Sequence, residues 1–134
     1  MIPSDPRVAR PLSPHLQIFR PILTMVMSIA HRITGGALYF GMLIPAVWLV
    51  GAASGAEWYD AINRVFASLP GRVVLFGFTW ALMHHMLGGI RHLVWDVGYG
   101  FEIRSAQWMA RATLVGSIGL TALIWLGAWG IGVL

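Results

Sequence analysis

Three long stretches of the chain carry no charged side chain, and they set its architecture. They cover residues 33–56, 73–90 and 112–134. A helix needs roughly 17 to 25 predominantly apolar residues to cross a bilayer, so each stretch is long enough to form a span. Helices satisfy their own backbone hydrogen bonds in lipid, whereas loops do not. The pattern predicts an all-α membrane protein, a single domain over residues 1–134 with spans at about 29–54, 66–95 and 110–133.

Composition supports a membrane protein and argues against a soluble helical bundle, a nucleic-acid-binding protein and a protein with disulfides or thiolate metal sites. The chain is 57% hydrophobic and 10% charged, whereas soluble domains carry roughly 25% charged residues, so the polar faces of a soluble helical bundle are missing. The nine basic residues are all Arg and are scattered singly, which gives no basic surface for nucleic acid. Cysteine is absent, which excludes disulfides and thiolate metal sites.

The distribution of arginine predicts the orientation. Seven of the nine lie before the first span, at its start, or in the region between the second and third spans. The loop after the first span has only Arg64 and Arg72, offset by Glu57 and Asp60. The positive-inside rule therefore places the N-terminus in the cytoplasm and the C-terminus in the periplasm.

The first 22 residues are expected to form an arm at the cytoplasmic surface. Five of the first 21 residues are proline, and these interrupt the continuous apolar run that a secretory signal requires. A bacterial inner membrane is the simplest location for such a multi-pass chain.

The second span contains a polar cluster within the sequence WALMHHMLGGIRHLVWD. Successive helical residues point about 100° apart, so His84 and His85 face different neighbours. His92 and Asp96 are seven and eleven residues beyond His85 and return to nearly the same face. His84 is expected to pack or to support another group through a hydrogen bond.

An imidazole inside a membrane span is a candidate functional group. Gly88 and Gly89 follow His85 by one turn and predict a flat patch where a large group approaches the backbone, which suits an axial ligand to haem. From spacing alone, a hydrogen bond between helices explains the residue equally well, and a proton relay is a third, weaker interpretation. Because His31 and His92 are placed at the membrane boundary, the second ligand to a six-coordinate haem would come from another subunit.

The start of the first span carries a second polar cluster, in the sequence SIAHRIT. Ser28 and Arg32 are four residues apart and share a helix face, and His31 lies beside them. A hydroxyl and a guanidinium can both donate to a carbonyl oxygen or to a carboxylate. A snorkelling arginine that reaches lipid phosphates explains the same pattern, so geometry alone leaves both interpretations open.

Taken in order, these motifs resemble one family. The segments are RPLSPHL at residues 10–16, SIAHRIT at 28–34 and HMLGGIRHLVWDVG at 85–98. They resemble the cytochrome b membrane anchors of succinate dehydrogenase, which is respiratory complex II. The length of the chain, its three spans and its predicted orientation fit that family as well.

The resemblance implies a role for each motif residue. His85 falls on the axial ligand to a haem b whose other ligand comes from a second small anchor subunit, with which this chain would form its helical bundle. His31, Arg32 and His92 would lie near the haem propionates. Ser28 and Arg32 would contact ubiquinone, the substrate.

The resemblance also implies partners and a function. An iron–sulfur subunit and a flavoprotein subunit would complete the complex, in which this chain helps pass electrons to ubiquinone in the respiratory chain and tricarboxylic acid cycle. The chain would not be catalytic alone. Asp96 and Glu102 are placed to deliver protons, although pairing with Arg91 or Arg104 explains them equally well.

Two other functions fit parts of the pattern. A fumarate reductase anchor that uses menaquinol would share the topology. A small transporter or channel subunit would also be helical, but it should carry a carboxylate or a repeat within its spans. All five acidic residues lie outside the three uncharged stretches, which disfavours transport.

Overall fold

The computed structural model describes residues 13–132, which form helices joined by short connections and contain no strand. A 3₁₀ turn at His15–Ile18 precedes five α-helices. The helices are α1 (Leu23–Gly41), α2 (Leu43–Ser54), α3 (Ala56–Ala67), α4 (Leu69–Asp96) and α5 (Ile103–Gly130). The all-α prediction is confirmed.

The first span is interrupted once, at Met42, where α1 gives way to α2. Pro45 has no N–H and therefore cannot donate to the carbonyl of Gly41, four residues earlier. Met42 itself keeps helical dihedral angles, and its N–H donates to the Leu38 carbonyl at 2.9 Å. The interruption is consequently a local break within one continuous apolar segment, Leu23–Ser54.

Three helical segments are long and apolar enough to cross a membrane: Leu23–Ser54, Leu69–Asp96 and Ile103–Gly130. A helix of 28 residues is about 42 Å long, which exceeds a hydrocarbon core of roughly 30 Å. The prediction of three spans is confirmed, although the helix bounds differ from the expected ones by several residues. Residues 13–22 of the expected arm are exposed, and residues 1–12 lie outside the described part of the chain.

The connection between the first two spans is itself helical. The amphipathic helix α3 packs on α2 and α4, and the Ser68 hydroxyl caps α4 by accepting from the Gly71 N–H at 3.2 Å. Gly71 approaches the backbone of Val65 and Phe66 so closely that a Cβ would overlap it. This tight turn holds the end of α3 against the start of α4.

The helix α4 is central, because it contacts α1 and α5 as well as α3. Within residues 13–132, the buried apolar core consists only of Met27, Ala81 and Ala110. Most large apolar side chains face outward, as expected where lipid or other subunits cover a helix. The bundle with a second anchor subunit and the cytoplasmic N-terminus stay predictions.

Candidate functional site

Three histidines meet where α1 packs on α4, and we call His31, His85 and His92 the imidazole cluster. The rings of His31 and His85 are stacked, with centroids 4.0 Å apart and planes 3° from parallel. The ring of His92 lies 5.0 Å from that of His31. The structure thus brings together, on two helices, three of the residues that the sequence singles out.

A backbone carbonyl fixes the ring of His85. Its Nδ1 lies 3.1 Å from the carbonyl oxygen of His31. Because a carbonyl oxygen only accepts hydrogen bonds, Nδ1 must carry the proton, and the Nε2 lone pair is left for another partner. Protein ligands to metals commonly have this arrangement, in which the second ring nitrogen donates to a carbonyl and orients the ring.

Thr34 shares the same carbonyl. Its hydroxyl lies 3.0 Å from the His31 oxygen and 2.9 Å from the Ala30 oxygen, and 3.5 Å from His85 Nδ1. The Thr34 side chain is buried. The single hydroxyl proton of Thr34 is shared between the Ala30 and His31 carbonyls, so the His31 oxygen lies within hydrogen-bond distance of two donors. Sequence reasoning misses Thr34 because a lone threonine in a span has no distinctive pattern.

Two glycines make room for the stacked rings. A Cβ on Gly35 would lie 2.8 Å from Cε1 of His85, and a Cβ on Gly88 would overlap the ring of His31. Within the described part of the chain, neither Gly36 nor Gly89 has a neighbour within 4 Å of that position. The expected flat patch at Gly88 and Gly89 is therefore wrong for Gly88, which is covered by His31 of the same chain, while Gly89 remains open.

The depth expected for His31 is also wrong. The sequence pattern places no other histidine at the level of His85, whereas the packing of α1 on α4 stacks the two rings. Stacked rings point their nitrogen atoms sideways rather than toward each other, and 4.0 Å between centroids leaves no room for a planar macrocycle. In this arrangement His31 and His85 do not form a pair of axial ligands.

Ser28 and Arg32 lie on α1 within one turn of His31. Ser28 is partly exposed and Arg32 is exposed. The hydrogen bonds around His85 involve the His31 carbonyl and Thr34 rather than these two side chains. Both residues are thus neighbours of His31 along α1, and neither takes part in the hydrogen bonds that hold His85.

The two carboxylates expected to deliver protons lie at the ends of helices. Asp96 is the last residue of α4 and is exposed. Glu102 precedes α5 and accepts from the Ser105 hydroxyl at 3.0 Å. Arg91, one of their possible partners, is instead buried, with its guanidinium 5.1 Å from the ring of Trp95.

His84 belongs to a different environment, between α4 and α5. It is 1% exposed, and its Nδ1 lies 3.3 Å from the hydroxyl of Ser117. Thr113, Ser117 and Thr121, spaced four residues apart on α5, are all buried here, and we call these three residues with His84 the hydroxyl seam. The seam matches the expectation that His84 and His85 face different neighbours.

Comparison with known proteins places the chain in a family. Residues 6–126 match the family described as the succinate dehydrogenase/fumarate reductase transmembrane subunit. The chain is 43% identical over 114 residues to the succinate dehydrogenase cytochrome b556 subunit of Paracoccus denitrificans, and the match covers 85% of this chain and 88% of that one.

Two more distant relatives agree. The cytochrome b556 subunit of Rickettsia typhi is 38% identical over 117 residues, covering 87% of this chain and 91% of its own. The mitochondrial succinate dehydrogenase cytochrome b560 subunit of Sus scrofa is 36% identical over 120 residues, covering 85% and 71%. The resemblance indicated by the motifs is confirmed, and the chain belongs to the family of succinate dehydrogenase/fumarate reductase transmembrane subunits.

Proposed function

We propose that this chain is the haem b- and quinone-binding membrane anchor of a succinate:quinone oxidoreductase. In this role it helps pass electrons from an iron–sulfur subunit to ubiquinone. The observation that carries the proposal is the hydrogen bond between His85 Nδ1 and the His31 carbonyl oxygen, 3.1 Å long. It holds one imidazole inside a span with Nε2 as the nitrogen available to iron.

The surroundings of His85 fit an axial ligand better than those of His84. The His85 ring is only partly buried and is positioned by α1 through stacking, a carbonyl and Gly35. His84 is enclosed in the hydroxyl seam, where no macrocycle fits. A bound haem would supply a one-electron redox centre at this position.

The second axial ligand is proposed to come from another small anchor subunit. His31 is excluded as that ligand in the present arrangement because its ring is stacked on that of His85. The outward apolar faces of the helices leave surface for such a subunit. His31, His92 and Arg32 are proposed to contact the haem propionates, since each can donate a hydrogen bond to a carboxylate.

Ubiquinone is proposed to bind at Ser28 and Arg32. A hydroxyl and a guanidinium can donate to the carbonyl oxygens of the quinone ring, and a fixed cation stabilises the negative charge that develops there during reduction. Reduction also requires two protons, for which Asp96 and Glu102 are the candidate donors on the exposed helix ends. The iron–sulfur subunit and a flavoprotein subunit would complete the complex, and the chain would not be catalytic by itself.

The proposed setting is a bacterial inner membrane with the N-terminus in the cytoplasm. The test is to isolate the complex through a tag on this chain, to identify its subunits and to record a dithionite-reduced spectrum. We expect a b-type haem, co-purified iron–sulfur and flavoprotein subunits, and succinate-driven reduction of ubiquinone. Absence of the b-type spectrum would contradict the role of His85, and faster fumarate reduction by menaquinol would favour the fumarate reductase alternative.

A further inference from the structure

Two cavities meet at Arg72, in the first turn of α4 and far along that helix from the imidazole cluster. The first cavity has a volume of about 580 Å³ and lies between α2, α3 and α4. The second has a volume of about 480 Å³ and lies between the start of α4 and the end of α5. Arg72 lines both cavities and therefore joins them.

Apolar side chains line both cavities next to Arg72. Leu75 and Phe78 line the first cavity, about 4.5 and 9 Å along α4 from Arg72 toward the middle of the span. Trp125 and Leu126 line the second. Among residues 13–132, no acidic side chain lines either cavity, so the charge of Arg72 is not neutralised by these walls. Arg72 is exposed.

Aromatic side chains place Arg72 at the level of the lipid headgroups. The Trp48 indole N–H donates to Asn63 Oδ1 at 3.2 Å, and its ring lies 6.0 Å from that of Tyr59. Trp129 lines the second cavity at the end of α5. Trp and Tyr concentrate at the membrane–water interface, where their rings are apolar and their polar atoms reach water.

We propose that Arg72 binds the phosphate of an anionic diacyl phospholipid, with one acyl chain in each cavity. The guanidinium matches phosphate geometry, and the N-terminal end of α4 adds partial positive charge at the same place. Two apolar cavities that diverge from one cation have the shape of a molecule with one anionic head and two chains. This lipid would join the α2–α3 unit to α5 across the start of α4.

The experiment uses the complete complex in phosphatidylcholine nanodiscs that contain a small fraction of phosphatidylglycerol. Native mass spectrometry counts the phosphatidylglycerol molecules that each complex retains. We expect Arg72→Gln to retain phosphatidylglycerol ~10-fold less strongly, as for loss of one charge-assisted hydrogen bond. Arg64→Gln is the matched control, because it removes an exposed arginine of α3 that lines neither cavity.

A second variant tests the cavity without changing the charge. Ala67 lines the first cavity, so Ala67→Trp should fill it and also reduce retention. Co-purification of all subunits and an unchanged unfolding midpoint show that the variants are folded. Equal effects of Arg72→Gln and Arg64→Gln, or equal retention of phosphatidylcholine, would overturn the proposal. The proposal would also be overturned if Ala67→Cys formed a cross-link to a neighbouring subunit while Arg72→Gln left the phosphatidylglycerol count unchanged.

Discussion

The two faces of α4 present adjacent histidines to different surroundings. Toward α5, His84 is 1% exposed and lies against the Ser117 hydroxyl. Toward α1, His85 is partly exposed and is fixed by the His31 carbonyl. A side chain buried against one hydroxyl of a neighbouring helix serves packing, whereas a partly exposed ring held at one nitrogen can present the other to a ligand. The surroundings, rather than the residue type, separate a structural imidazole from a candidate ligand.

The largest expected effect separates these two histidines directly. His85→Ala should reduce haem affinity more than ~100-fold, since loss of supporting residues alone costs roughly 10- to 100-fold. His84→Ala should leave the reduced haem spectrum nearly unchanged, because the side chain lies in the hydroxyl seam. The measurement is haem per complex by pyridine haemochrome. Equal losses in the two variants would show that the assignment of the faces is wrong.

The next effect concerns Ser28 and Arg32 on α1, the residues proposed to bind ubiquinone. Arg32→Ala and Ser28→Ala should lower succinate–ubiquinone reductase activity by about 10- to 100-fold for the arginine and less for the serine, as for loss of a charged and a neutral hydrogen bond. Reduction of an artificial dye by the soluble subunits should persist. Arg104→Ala, an exposed arginine at the start of α5, is the control. Loss of both activities would indicate defective assembly instead.

Adjacent glycines on α1 give a matched pair at the imidazole cluster. Gly35→Ala places a Cβ 2.8 Å from His85 Cε1, whereas Gly36→Ala meets no described atom within 4 Å. Overpacking costs about 1–3 kcal/mol, so Gly35→Ala should lower haem content or shift its spectrum, and Gly36→Ala should do neither. If both variants behave alike, the position of His85 does not depend on its contact with α1.

Some features of the site can be predicted from sequence patterns, and others depend on helix packing. Uncharged stretches predict three helical spans because lipid permits few alternatives. The helical period predicts that His84 and His85 diverge. Neither pattern reports which helix packs against which face, so the covering of Gly88 by His31 and the stacking of His31 on His85 could not be foreseen.

Two further features depend on tertiary contacts. The sequence offers Arg91 as a partner for a loop carboxylate, but the residue is 4% exposed and lies beside Trp95. The charge pattern marks the segment after the first span only as a loop. The structure shows that it contains the helix α3, which packs against α2 and α4 and lines a cavity. Local patterns therefore predict the elements, while helix packing determines the site.

A smaller effect, on the stability of the complex, is expected for residues of α5. Ser117→Ala removes the partner of His84 Nδ1 and leaves a buried polar atom unsatisfied, which costs about 1–3 kcal/mol. The Thr121 hydroxyl donates to the Ser117 carbonyl within its own helix, so Thr121→Val should destabilise less. Thermal unfolding of the purified complex measures both, with the haem spectrum unchanged. A spectral change in Ser117→Ala would mean that the hydroxyl seam also supports the haem site.

The smallest expected effect tests how the hydrogen bonds from α1 change the basicity of His85 Nε2. The Thr34 hydroxyl and His85 Nδ1 share the His31 carbonyl, at 3.0 and 3.1 Å. Thr34→Val removes the competing donor, so the carbonyl should accept more strongly from Nδ1–H and make Nε2 a more basic ligand.

A more basic ligand favours the oxidised iron, so the haem reduction potential should fall in Thr34→Val. The change is on the order of 20–60 mV, which corresponds to a hydrogen-bond contribution of roughly 0.5–1.5 kcal/mol for one electron. Thr34→Ser keeps the hydroxyl and should keep the potential. A rise in the reduction potential of Thr34→Val would contradict this argument. It would mean that His85 Nδ1–H donates mainly to the Thr34 hydroxyl, 3.5 Å away, and not to the His31 carbonyl.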